Sequence, residues 1–79
     1  MVYLTKIDAS RNMARFYALD LQPTLFGEWA LVKEWGRIGQ AGQSRSVVYD
    51  GQEAAATALD RELKRRCKRL YQPPANSRA

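Results

Sequence analysis

The sequence predicts an α+β fold: an antiparallel β-sheet of four to five strands with one long C-terminal α-helix packed on one face. Three observations predict it. Apolar and polar residues alternate with the two-residue period of strands through the first two-thirds of the chain. The connections between these runs are too short for the crossovers that parallel strands need. From Glu53 to Leu70 the apolar period becomes three and four residues, with no Gly or Pro.

The elements follow in order. Residues 1–7 are rich in β-branched and aromatic side chains, and Asp8-Ala9-Ser10-Arg11-Asn12 supplies turn chemistry. A second strand is predicted over 13–21, with Tyr17, Leu19 and Leu21 on one face and Ala18 and Asp20 on the other. Pro23 is expected to end its pairing, because proline has no N–H for a ladder. The third run, 28–38, places Trp29, Leu31, Lys33 and Trp35 on one face and Glu28, Ala30, Val32 and Glu34 on the other. Gly39-Gln40-Ala41-Gly42 then connects it to a fourth strand over 43–49 as a hairpin.

Asp50 and Glu53 have the spacing of a capping box at a helix start. Ala55, Leu59, Leu63, Cys67 and Leu70 form the apolar stripe of a helix of about 18 residues, which Pro73-Pro74 is expected to stop. The domain is thus expected over 1–72, with a disordered tail over 73–79.

Composition limits what such a domain does. A chain of 79 residues has a core expected to supply roughly 3–5 kcal/mol of net stability, which excludes a second domain or a two-lobed cofactor fold. Histidine is absent, and with it the commonest general base and metal ligand. Cys67 stands alone, so no internal disulfide or thiolate cage forms, and its place on the apolar stripe reads as a buried small hydrophobe. The sequence contains no nucleophile–base pair, metal-ligand cluster or phosphate loop opening a helix. No enzymatic activity, cofactor or metal is expected. The N-terminus lacks the pattern of a secretory signal and the longest apolar run is far too short to span a bilayer. A cytoplasmic protein with no membrane partner is expected, with association to the nucleoid open to it. Thirteen Lys and Arg against eight Asp and Glu leave +5, which points toward an anionic partner.

The most informative residues lie in the third strand and its hairpin. Trp35-Gly36-Arg37-Ile38-Gly39 followed by Gly42-Gln43 resembles the signature of the WGR domain, found in poly(ADP-ribose) polymerases and many bacterial proteins. The resemblance extends over nearly the whole chain. Phe16-Tyr17 with Leu19 and Leu21 is similar to the family's second strand, and Trp29-Ala30-Leu31-Val32 to its approach to the tripeptide. Glu53-Ala54 resembles the start of the family helix, and Lys68-Arg69-Leu70-Tyr71 its end, although many relatives carry Gly where this chain has Leu70.

The resemblance implies a non-catalytic module that binds DNA, at breaks or ends, without reading sequence. Trp35 matches a residue that packs against a nucleotide at a break. Arg37 matches one in contacts between domains, and Arg45 a basic position that approaches DNA. The polymerase catalytic domain has no counterpart here. Physically, Gly36 offers no side chain to shield the indole beside it, and stacking on a base contributes roughly 1–3 kcal/mol. Arg37 projects from the same side of the strand as Trp35 and suits a phosphate. Lys33, also on that face, joins Trp35, Arg37 and Arg45 as a candidate contact. RNA or single strands suit the same chemistry. A different class of function, docking of a protein partner through Arg37 and the Trp-Gly-Arg hairpin, is the alternative.

Each candidate has a plainer reading. Trp35 is in register with Trp29 and Leu31 and suits a core position. Arg37 suits a solvated residue or a partner for Glu34. On the helix, Arg61, Lys64, Arg65, Lys68 and Arg69 form a candidate phosphate stripe, yet cations also stabilise a helix C-terminus by about 0.3–1 kcal/mol each. Residues 61–69 hold six cations and one anion, while the remainder of the chain balances at seven and seven. Which sheet face the helix covers decides whether stripe and hairpin can share a ligand.

Overall fold

The computed structural model describes residues 1–73. The tail expected over 73–79 lies, from 74 onward, outside the described residues. Four antiparallel strands form one meander: β1 (Val2–Asp8), β2 (Met13–Pro23), β3 (Trp29–Arg37) and β4 (Gln43–Tyr49), in spatial order β1-β2-β3-β4. The helix α1 (Gln52–Lys68) packs on one face. After α1 the chain returns to the free edge of β1, where Thr5 N–H donates to Gln72 O (2.8 Å) and Gln72 N–H donates to Thr5 O (2.9 Å). The fifth strand is thus a single bridge. No helix among the described residues is long and apolar enough to cross a membrane.

The core lies between sheet and helix. Leu4, Tyr17, Leu19 and Leu31 are buried there, and Ala58, Leu59 and Leu63 of α1 pack against them. Ala55 is fully buried. The opposite sheet face has no covering layer among the described residues and carries the stacked pair Tyr3 and Phe16 (ring centroids 5.8 Å apart).

Three boundary expectations are corrected. The second strand runs past the expected residue 21 to Pro23, which is itself the last residue of β2, opposite Trp29. Thr24 N–H donates to Glu28 O (2.8 Å), so the adjacent Pro23–Trp29 pair is the non-hydrogen-bonded kind. The missing proline N–H therefore points to the β1 side, and β1 reaches only as far as Leu19.

The capping box does not form. Gly51, in extended conformation, is the N-cap, and no side chain caps the helix. Asp50 stands one residue too early for the N3 amide, and Glu53 is left to favour the helix dipole from the first turn.

Helix α1 ends at Lys68, before the proline pair. Tyr71 N–H donates to Arg66 O (3.0 Å) and Leu70 N–H donates to Cys67 O (3.1 Å), which is a Schellman cap. Leu70 is the left-handed residue of that cap, at φ 71°. It is therefore off the apolar stripe and 73% exposed. Cys67 is exposed as well. The reason is rotation. Four-residue steps drift about 40° each, so Cys67 stands roughly 120° from Ala55 around the helix, whereas Glu62 and Arg66 stay within about 20°.

Leu70 makes a test of the cap. Glycine adopts the left-handed conformation without a Cβ penalty. Leu70→Gly is expected to stabilise the fold by about 0.5–1 kcal/mol and to raise Tm by a few degrees. Thermal unfolding followed by circular dichroism checks it; a fall in Tm contradicts the assigned cap.

Candidate functional site

Register sets the site. On the helix-bearing face, successive cross-strand rows read Leu21–Leu31–Val47, then Val2–Leu19–Lys33–Arg45, then Leu4–Tyr17–Trp35–Gln43, then Lys6–Arg15–Arg37. Helix α1 covers the apolar rows. Beyond them lies an open groove of about 580 Å³, lined by Arg15, Tyr17, Lys33, Trp35, Gly36, Arg37, Arg45, Arg66 and Tyr71. Three pairs in these rows set cation directly opposite cation: Lys6 and Arg15, Arg15 and Arg37, Lys33 and Arg45. Like charges so placed destabilise a sheet.

Trp35 combines the two roles open to it in the sequence. It is half-buried, packs against the core cluster, and stacks beside Tyr17 (centroids 6.1 Å apart, planes 21° apart), while it also lines the groove. Gly36 does not uncover the indole, because adjacent strand residues point to opposite faces. Its lack of a side chain serves the other face, where an added Cβ would meet Gly42 Cα at 2.8 Å and the Phe16 ring at 3.4 Å.

Arg37 does not pair with Glu34, which projects to the opposite face for the same reason. Its guanidinium donates to Asn12 O (3.1 Å) and to Asn12 Oδ1 (3.5 Å), tying the hairpin to the β1–β2 turn. Arg15 and Arg45 are exposed, and their guanidinium groups form no hydrogen bond or ion pair among the described residues.

The helix contributes one cation to the groove. Arg66 lies over the Tyr17 ring (4.1 Å to its centroid), its Nε donates to Glu62 Oε1 (3.2 Å), and its Nη2 donates to Tyr17 Oη (3.3 Å). Tyr17 Oη also donates to Glu62 Oε1 (3.0 Å). None of Arg61, Lys64, Arg65, Lys68 and Arg69 lines the groove; all five are exposed, and Lys64 pairs with Asp60 (3.1 Å). The structure thus brings Trp35, Arg37, Arg45 and Lys33 together and leaves the predicted stripe apart from them. Arg15, Arg66, Tyr17 and Tyr71 join the site without having been singled out from sequence.

Electrostatics hold the helix to the groove wall. Burial acts to raise the Glu62 carboxyl, but the Tyr17 hydroxyl, the Lys33 charge and Arg66 together hold it below the ordinary carboxylate value. Burial and the bond to Glu62 push the Tyr17 phenol upward, partly offset by Arg66. A carboxylate depressed in the folded state stabilises the fold above its unfolded pKa and loses that contribution as pH falls through the folded one. Glu62→Gln is therefore expected to cost about 1–3 kcal/mol at neutral pH. The difference from wild type should shrink as pH drops below the ordinary carboxylate range. Urea unfolding of both proteins at pH 7 and in acid checks this; a pH-independent difference contradicts it.

Over 73 residues the chain is 47% identical to the uncharacterized protein y4dW of Sinorhizobium fredii (strain NBRC 101917 / NGR234), a match covering 91% of this chain and 35% of that protein. The chain thus spans about a third of the length of that relative. No solved structure matches. The family description "WGR domain" matches residues 1–78, essentially the whole chain. With the Trp35-Gly36-Arg37 strand, its meander and its packed helix accounted for, the chain belongs to the WGR domain family.

Proposed function

We propose that this domain is a non-catalytic nucleic-acid-binding module that takes DNA, at breaks or ends, in the groove around Trp35. The observation that supports this reading most is the row of opposed cations beside a half-buried indole. Phosphates would neutralise the repulsion between Lys33 and Arg45 and among Lys6, Arg15 and Arg37. Each neutralised phosphate also releases counterions. The indole supplies a stacking surface for a base or sugar, worth roughly 1–3 kcal/mol. Such a surface suits a terminal or nicked base pair, whose face is open, better than a base stacked within an intact duplex. Among the described residues no helix or finger is placed to read base edges, so the preference is for shape and ends.

Within the groove the cations divide by freedom. Arg15 and Arg45, exposed and without a side-chain partner among the described residues, are the freest phosphate contacts; Lys33 also acts on Glu62, and Arg37 and Arg66 are held by Asn12 and by Glu62 with Tyr17. The protein-docking alternative draws mainly on Arg37, whose guanidinium is already engaged; the DNA reading draws first on Arg15, Lys33 and Arg45. The predicted helix stripe, facing elsewhere, is left to the helix dipole and solvent.

Fluorescence anisotropy with labelled nicked, blunt and intact duplexes at low salt tests the proposal. Tighter binding to the nicked and blunt duplexes is expected, and absence of binding to all three overturns it. Trp35→Ala is expected to weaken binding by about 10–100-fold. A folded Trp35→Ala protein that binds as well as wild type removes Trp35 from the interface.

A further inference from the structure

The two ends of the molecule carry opposite chemistry. Segments 16–32 and 46–60 contain five carboxylates, Asp20, Glu28, Asp50, Glu53 and Asp60, and no Lys or Arg. Of these, Glu28, Asp50 and Glu53 lie at the end where β2 turns into β3 and where α1 begins, and the groove lies at the other end. At the acidic tip Leu25 and Phe26 are 98% and 87% exposed. Two large apolar side chains so exposed, side by side, are unusual on a small domain.

The tip is also pre-shaped. Thr24 Oγ1 accepts from the N–H groups of Phe26 and Glu28 (3.2 Å each), and Gly27 takes the left-handed turn at φ 81°. The Trp29–Tyr49 pair brings Glu28 and Asp50 together at the base of the loop. An apolar knob with carboxylates at its base fits an aromatic cleft bordered by cations. The Trp35 groove, with Tyr17 and Tyr71 beside it and Arg15, Lys33 and Arg45 around it, is such a cleft.

We propose that the Leu25–Phe26 tip of one molecule docks in the Trp35 groove of a second copy, head to tail. Phe26 lies against the indole and the guanidinium planes, and Glu28 and Asp50 face the groove cations. From Arg15 to Pro23 strand β2 spans about 26 Å, so a molecule cannot fill its own groove. Placed head to tail, the contact is heterologous and propagates into short chains. It is small, so association is weak, with Kd on the order of 0.1–1 mM. Nucleic acid and a second copy exclude one another from the groove, but the proposal does not require that the groove bind DNA.

Sedimentation equilibrium from micromolar to millimolar concentration tests it, with folding of every variant verified by circular dichroism. At low salt the weight-average mass of wild type should rise with concentration, and added salt should return it to the monomer value. Leu25→Ser with Phe26→Ser removes the tip, and Arg15→Glu with Arg45→Glu removes the groove; each double variant should remain monomeric. Mixed together, they should form a dimer and nothing larger, because each pair has one intact tip and one intact groove. A monomeric wild type at millimolar concentration, a monomeric mixture, or a tip variant that associates like wild type overturns the proposal. Duplex binding by the tip variant is read separately. If it persists while self-association fails everywhere, only this inference falls; if it is absent in wild type while self-association holds, only the DNA reading falls.

Discussion

Gly42→Ala is expected to bring the fold to the edge of stability at 25 °C. The added Cβ would collide with the Trp35 carbonyl oxygen and would meet the Trp35 carbonyl carbon and the Phe16 ring at 2.9 Å. Two of those atoms belong to the backbone of β3, so no side-chain rotation relieves the clash. Separating β4 from β3 at this point would break the hairpin that carries Trp35, Arg37 and Arg45. A cost of about 3 kcal/mol or more consumes most of the roughly 3–5 kcal/mol available to so small a core. Far-UV circular dichroism with a urea titration checks it. An unfolding free energy within about 1 kcal/mol of wild type contradicts the close approach of Gly36 and Gly42. The same contact explains why the tripeptide carries glycine beside its tryptophan: the requirement arises on the face opposite the groove.

Arg15→Glu combined with Arg45→Glu is expected to weaken duplex binding by about 100-fold or more while leaving the fold intact. Both side chains are exposed and neither is hydrogen-bonded to another described residue, so the fold loses little. Each substitution removes one phosphate contact and places a carboxylate where a phosphate would approach. The double change also dissolves cation–cation oppositions with Lys6, Arg37 and Lys33, so stability should hold or rise slightly. Anisotropy on the nicked duplex, alongside thermal unfolding, separates the two effects. Unchanged affinity in the folded double variant contradicts a groove built for phosphates.

Much of this site is legible in sequence, and the parts that are not share a cause. Strand alternation alone puts Lys33, Trp35 and Arg37 on one face, and the two-glycine connection brings Arg45 alongside. Extending the face of Tyr17, Leu19 and Leu21 two residues back reaches Arg15, so its place in the groove follows from the same rule. Arg66 required stricter helical arithmetic: at 100° per residue it falls beside Ala55, whereas a run of four-residue steps leads to exposed Cys67 instead. The opposed cation pairs were not legible, because they depend on the register between strands and not on any one strand. The same holds for the sheet face that α1 covers. At the helix start Asp50 and Gly51 are both acceptable caps, and only the path of the chain out of β4 selects Gly51. The net charge of the chain, which first suggests an anionic partner, comes from residues 61–69; of these only Arg66 lines the groove. Seven cations and seven anions elsewhere sum to zero, yet their segregation along the molecule concentrates Arg15, Lys33, Arg37 and Arg45 around Trp35.

The salt dependence of binding by the wild-type protein tests the central claim most directly. A groove engaging about three to five phosphates predicts that log affinity for the nicked duplex falls linearly with log salt, with a slope of roughly −3 to −4.5. A slope near zero, or one unaltered by Arg15→Glu with Arg45→Glu, would contradict it.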